Sequence, residues 1–178
     1  MKEEKKSVYY DSLFRRSVKY NCNYKESRYY RLWQEVIKLI HPDRRILEIG
    51  CGTGQFARML IDTGRTRYFG FDFSSHAISL CHGINVIQYD AYEPEIYLSP
   101  GYDLVIALEV LEHIDDLKVL GLIRKGVEIV FTVPEFDDPA HLRLFKSVEE
   151  VTSRYSPYIK DLHVTKFGRY YLGHGVII

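Results

Sequence analysis

Residues 46–56 read ILEIGCGTGQF: an apolar run, three glycines at alternate positions, then helix-forming residues. A buried strand that delivers Gly50, Gly52 and Gly54 into a tight turn and then opens a helix brings bare main chain up to a ligand, where a Cβ would collide. In an open α/β sheet such a turn lies at the carboxyl edge of the strands, which is where ligands bind. The glycines alone do not choose the ligand, so the surrounding sequence has to.

Working outward, the apolar runs RILEIG, RYFGFD, NVIQYD, YDLVIAL and VEIVFTVP read as strands, with helix-like or loop segments between them beginning near Gln55, Ser74, Tyr92 and Glu109. Continuous apolar strands separated by helices predict a parallel sheet buried on both faces. The expected class is therefore α/β, a doubly wound Rossmann-like sheet in three layers. Upstream, Trp33, Val36, Ile37 and Ile40 fall at helical spacing until His41-Pro42 ends the pattern. Downstream, the loop EFDDPAHLRLF leads to a helix at SVEEVTSRY. The segments LHVTKFG and YYLGHGVII, joined through Gly168-Arg169, then predict an antiparallel C-terminal edge. Residues 1–23 are expected to form an N-terminal arm or lid, and residues 24–178 one domain.

The 178 residues carry 24 Lys/Arg and 24 Asp/Glu, yet residues 1–45 hold 12 of the former against 6 of the latter. This basic quarter also holds Tyr9, Tyr10, Phe14, Tyr20, Tyr24, Tyr29, Tyr30 and Trp33. These rings would either stack on a planar ligand or pack helices above a solvated face. No apolar run reaches the length of a bilayer span, and MKEEKKSVYYDSLFRR lacks the apolar core of a signal peptide, so a cytoplasmic address and no membrane are expected. Cys22, Cys51 and Cys81 suit neither a disulfide framework nor a zinc knuckle and are expected to be reduced thiols.

The third glycine of a dinucleotide-binding Gly-x-Gly-x-x-Gly is replaced here by Gln55, and no Gly-Lys-Ser/Thr follows as in a Walker loop. The pattern is instead an acid, Glu48, two residues before Gly-x-Gly-x-Gly. A carboxylate there repels a pyrophosphate but attracts an ammonium. From about Tyr24 onward the sequence resembles the class I S-adenosylmethionine-dependent methyltransferases, in the small single-domain type 11/12-like form. The resemblance rests on LEIGCGTG, the acid closing FGFD, the acid closing IQYD, and ALEVLEHI after the fourth strand.

The resemblance implies S-adenosylmethionine as cofactor, S-adenosylhomocysteine as product, and roles for the matching positions. Gly50, Gly52 and Gly54 would cradle the aminoacyl part, with Glu48 facing its ammonium. Asp72 would accept from both ribose hydroxyls. Asp90 with Ala91 would meet the adenine edge, Phe73 would cover the ring, and Glu109 would line the cofactor cleft. For the two aspartates the plainer alternative is a helix cap or a solvated strand end.

Methyl transfer from a sulfonium is an in-line displacement, so the protein has mainly to align donor and acceptor and exclude water. A hydroxyl or ammonium acceptor also needs a base, for which His113 and His141 are the candidates. Were EVLEH the start of a helix, Glu109, Glu112 and His113 would share one face, with His141 as a fourth group. That spelling is similar to the metal-dependent 2'-O-methyltransferases of small RNA ends, and parts of it recur in ubiquinone-pathway O-methyltransferases. The spacing to the second histidine is short here and metal-free relatives carry like segments, so no metal is expected. Asp137 and Asp138 could be ligands too, though a turn before Pro139 explains them equally well. The leading expectation is methyl transfer to an oxygen or nitrogen of a small molecule. The alternatives are an RNA or protein methyltransferase docking its substrate on the basic tyrosine-rich quarter, and a non-catalytic cofactor-binding regulator. The segment after the fourth strand lacks the Asn/Asp-Pro-Pro-Tyr/Phe that would favour base amino groups.

Overall fold

The computed structural model describes residues 2–178, which fall into two units, Lys6–Ala91 and Tyr92–Ile178, the latter with the first residues of the chain.

In the first unit, strands β1 (Ile46–Ile49), β2 (Tyr68–Asp72) and β3 (Val86–Gln88) pair in parallel, with Glu48 opposite Gly70 and Asp72 opposite Gln88. Helix α1 (Ser7–Arg16) buries Phe14, and α2 (Tyr30–Lys38) buries Leu32, Trp33 and Val36, the stripe expected from the 3.6-residue period. Arg65 satisfies the end of α2 by donating to the carbonyls of Ile37 and Ile40. Helix α3 (Gln55–Asp62) presents Phe56 to Trp33 at 5.7 Å between ring centroids. The short α4 (Ser75–Ser79) is capped by the Ser74 hydroxyl, which accepts from the Ala77 amide at 3.1 Å.

The second unit holds α5 (Glu95–Leu98), β4 (Leu104–Leu108), α6 (Asp116–Leu122), β5 (Glu128–Pro134), α7 (Val148–Tyr155), β6 (Ile159–Phe167) and β7 (Tyr170–Ile177). β4 and β5 are parallel, while β7 runs antiparallel between β5 and β6. The strand order is β3-β2-β1 in the first unit and β4-β5-β7-β6 in the second. The fold is the doubly wound, mostly parallel Rossmann-like one expected, with a two-stranded antiparallel margin that turns at Gly168 (φ 59°). The edge strand β3 departs from two-sided burial, since Ile87 is 40% exposed. Among the described residues no helix is long and apolar enough to cross a membrane, and all three cysteines are free.

Of the two readings left open for the segment after β4, helix or loop, the structure takes the loop. Glu109 does not open a helix: it sits in the left-handed region at φ 57°, residues 111–113 form a turn, and α6 begins only at Asp116. The Glu109 amide is taken by β5, donating to the carbonyl and hydroxyl oxygens of Thr132, both at 3.1 Å. A residue at that φ lies outside the right-handed helical region, so no helix begins at Glu109.

Candidate active site

In the first unit β1 runs into a turn in which Gly50, Gly52 and Gly54 all adopt positive φ, at 67°, 53° and 74°. Only glycine takes three such conformations in five residues without strain. Gly54 is bare for a second reason: a Cβ there would come 2.6 Å from Ile84 Cδ1 and 3.1 Å from Cys81 Sγ. The turn is held from below by Asp72, whose Oδ2 accepts from the Gly52 amide at 2.9 Å and Oδ1 from the Ser74 amide at 2.8 Å. Burial lifts the Asp72 carboxyl to about 6, against the pull of those two bonds.

Glu48 is buried in β1, and the Tyr68 hydroxyl donates to its Oε2. Burial pushes this carboxyl up to about 7. Gly70 makes the pairing possible, since a Cβ on it would strike the Tyr68 phenol. Phe73 stands 5.1 Å from the ring of Tyr10, and Asp90 lies exposed just past β3 with Ala91 beside it.

The arm lies on this same turn. The Phe14 ring is 3.7 Å from where a Cβ of Gly52 would stand, and the Thr53 hydroxyl donates to the Tyr20 carbonyl. The Gln55 amide donates to the Cys22 carbonyl at 2.8 Å. Asp11 accepts from the Ser74 hydroxyl at 2.6 Å and the His76 amide at 3.1 Å, and the Ser74 bond holds its carboxyl below the usual range. Asp11, Thr53 and Tyr68 are not singled out by the sequence, and Gln55 is marked there only as the residue in place of a third glycine. The signals available were the glycine inside YFGFD and a glutamine where a third glycine would stand.

In the second unit Glu109 Oε1 accepts from the Thr132 hydroxyl at 2.9 Å. The turn that follows places Glu112 and His113 beside His141, with the two imidazole centroids 4.8 Å apart. Both rings use Nδ1 against a main-chain oxygen, His113 to Ala140 and His141 to Phe136, each at 3.1 Å. Burial lowers both titrations, to about 4 for His113, so both rings are neutral at physiological pH. Asp137 and Asp138 serve the loop instead: Lys2 pairs with Asp137, and Asp138 Oδ1 accepts from the Ala140 amide at 2.9 Å.

The bare turn and the carboxylate beneath it suit the cofactor that the sequence pattern implies. No curated protein matches the chain. Among solved structures, the PH0226 protein of Pyrococcus horikoshii OT3 is 16% identical with a TM-score of 0.71, covering 94% of this chain and 99% of its own. A SAM-dependent methyltransferase of Archaeoglobus fulgidus is 18% identical with a TM-score of 0.66, covering 97% and 100%. Phosphoethanolamine N-methyltransferase 2 of Haemonchus contortus, bound to S-adenosyl-L-methionine, is 13% identical with a TM-score of 0.69, covering 94% and 60%. These likenesses establish the fold. The methyltransferase-domain family model matches residues 24–153. The chain therefore belongs to that family, within the class I S-adenosylmethionine-dependent methyltransferases, and S-adenosylmethionine is its cofactor.

Proposed function

We propose that the enzyme transfers the methyl group of S-adenosylmethionine to an oxygen or nitrogen of a small molecule. The observation that carries this reading is how the arm spends its side chains. Phe14 lies on Gly52, Asp11 on the start of α4, and the Tyr20 and Cys22 carbonyls receive Thr53 and Gln55, while Tyr24 and Trp33 are buried. With Phe14, Tyr24 and Trp33 buried, Tyr10, Tyr20, Tyr29 and Tyr30 half-buried and Tyr9 exposed, the rings keep limited stacking surface for a nucleic acid, which favours a lid of residues 1–23 over a docking platform. A lid of this kind excludes water from the sulfonium.

In this reading the glycine turn receives the aminoacyl part of the cofactor and Asp72 accepts from the ribose diol through its remaining lone pairs. Glu48 stands behind the turn as a buried acid that can give up its proton to face the ammonium, and Phe73, Asp90 and Ala91 attend the adenine. The cofactor supplies an activated methyl carbon, and the chain's own residues bind, orient and keep water away. His113 and His141 are the candidates for the acceptor's proton.

Labelled cofactor incubated with a metabolite panel, total RNA and protein extract tests the proposal. Label in the low-molecular-weight fraction, insensitive to salt, is the expected result. Label in RNA or protein, falling steeply with ionic strength, overturns it. So does tight binding of S-adenosylhomocysteine with no transfer to any fraction.

A further inference from the structure

Glu112 is 1% exposed, and among the described residues neither of its carboxylate oxygens has a hydrogen-bond partner. Native interiors seldom keep such a group, because an unpaired buried carboxylate loses its hydration without compensation. A bound cation provides that compensation. Glu112 Oε1 stands 3.6 Å from His113 Nε2, and one ligand atom each from Glu112, His113 and His141 all fall within 4.8 Å of one another. Donors bound at about 2.0–2.2 Å around a tetrahedral ion stand roughly 3–4 Å apart, so small side-chain rotations close this set.

The imidazoles are already set for the task. A carbonyl oxygen only accepts, so the Ala140 and Phe136 carbonyls fix the proton of each ring on Nδ1 and leave the lone pair on Nε2.

The frame is rigid as well. The Leu142 amide donates to the Glu112 carbonyl at 2.7 Å, tying the His141 segment to the turn. The Arg143 guanidinium donates to the carbonyls of Leu111 and Ile114 on either side of Glu112 and His113, and pairs with Asp116 at 3.2 Å.

We propose that Glu112, His113 and His141 form a binding site for one transition-series divalent cation, with open positions for water or an oxygen of a small substrate. Two imidazoles and one carboxylate favour Zn²⁺ and its neighbours over Mg²⁺, which prefers oxygen donors throughout. The inference stands whatever the methyl acceptor is, because it is read by binding and not by turnover.

The full chain, stripped with a chelator, is titrated calorimetrically with Zn²⁺, Mn²⁺ and Mg²⁺. One site per chain is expected, tightest for Zn²⁺, with Glu112→Gln and His141→Ala each weakening it roughly 10- to 100-fold. Asp137→Asn, whose carboxylate is already engaged by Lys2, leaves binding unchanged. Glu112→Gln keeps the shape and removes a buried acid, so its metal-free melting temperature is expected at or above that of the parent. Only the parent then gains stability on adding Zn²⁺. An absence of binding heat, an affinity unchanged in Glu112→Gln, or Mg²⁺ bound more tightly than Zn²⁺ overturns the proposal.

Discussion

The Asp72 carboxylate holds the Gly52 amide at 2.9 Å, so the acid that closes the second strand is also the post on which the glycine turn rests. In the proposed binding mode the same carboxylate also meets the ribose, which couples cofactor binding to turn geometry through one side chain. Asp72→Ala is expected to raise the Kd for S-adenosylhomocysteine by roughly 10- to 100-fold, since hydrogen bonds to a charged group contribute about 1.5–3 kcal/mol. Calorimetry reads this directly, and an affinity within twofold of the parent would remove Asp72 from the cofactor site.

Asp11 tests the arm. Its carboxylate is stabilised by the Ser74 hydroxyl and the His76 amide, and it fastens α1 to the start of α4 from a half-buried position. Asp11→Ala is expected to speed the release of S-adenosylhomocysteine several-fold while moving the melting temperature little, as befits a lid contact rather than a core contact. Stopped-flow dissociation measures the first and a thermal melt the second. A large loss of stability with unchanged release would make α1 a structural helix and not a lid.

The strands, the glycine turn and the acids at the strand ends could be read from the sequence, because each is set by local pattern: apolar runs, glycines at positive φ, and a breaker such as Pro42. Residues whose partners are remote could not be read that way. Nothing near Glu48 announces that Tyr68 will reach it from the neighbouring strand, and nothing near Arg65 announces the end of α2. The EVLEH segment is the instructive case. Its helical spelling suggested one face of a helix, but Thr132 pins Glu109 and turns the chain. The same turn nevertheless delivers Glu112 and His113 to His141, a meeting decided by how the loop around Arg143 folds and not by spacing.

Glu48 makes stability depend on pH with a definite sign. Its folded value of about 7, raised chiefly by burial and slightly by Asp72, exceeds the ordinary 4.5, so the native state holds its proton where the unfolded chain has lost it. The stabilisation is complete below 4.5 and is lost as pH rises through 7, a swing on the order of 3 kcal/mol. Glu48→Gln, which still accepts from the Tyr68 hydroxyl, is expected to flatten this part of the profile and to be more stable than the parent at pH 8 but not at pH 5. Urea unfolding at the two pH values is the measurement. Asp72, lifted to about 6, contributes with the same sign and remains in the variant. If Glu48 attracts the cofactor ammonium, the variant also binds S-adenosylmethionine less tightly. An equal gain at both pH values would mean that Glu48 is charged throughout.

Asp116 is the most heavily engaged acid in the second unit. It is fully buried, receives two bonds from Arg154 at 2.7 Å and one from the Tyr155 hydroxyl at 2.8 Å, and pairs with Arg143. A sequence reader sees only the second of two aspartates at a helix start, of which Asp115 is the cap. Breaking a buried, hydrogen-bonded ion pair from one side leaves the partner charges uncompensated, so Asp116→Ala is expected to cost about 3–5 kcal/mol. At about 2–4 °C per kcal/mol for a chain of this size, the melting temperature should fall by roughly 10 °C. Tyr155→Phe removes one bond and should lose only about a third of that. Because Arg143 also grips the turn that carries Glu112 and His113, the Asp116 variant should weaken Zn²⁺ binding even at temperatures where it remains folded. Tyr155→Phe, which leaves Arg143 in place, should not. Equal Zn²⁺ affinities in the two variants would separate the buried charge network from the Glu112, His113 and His141 cluster.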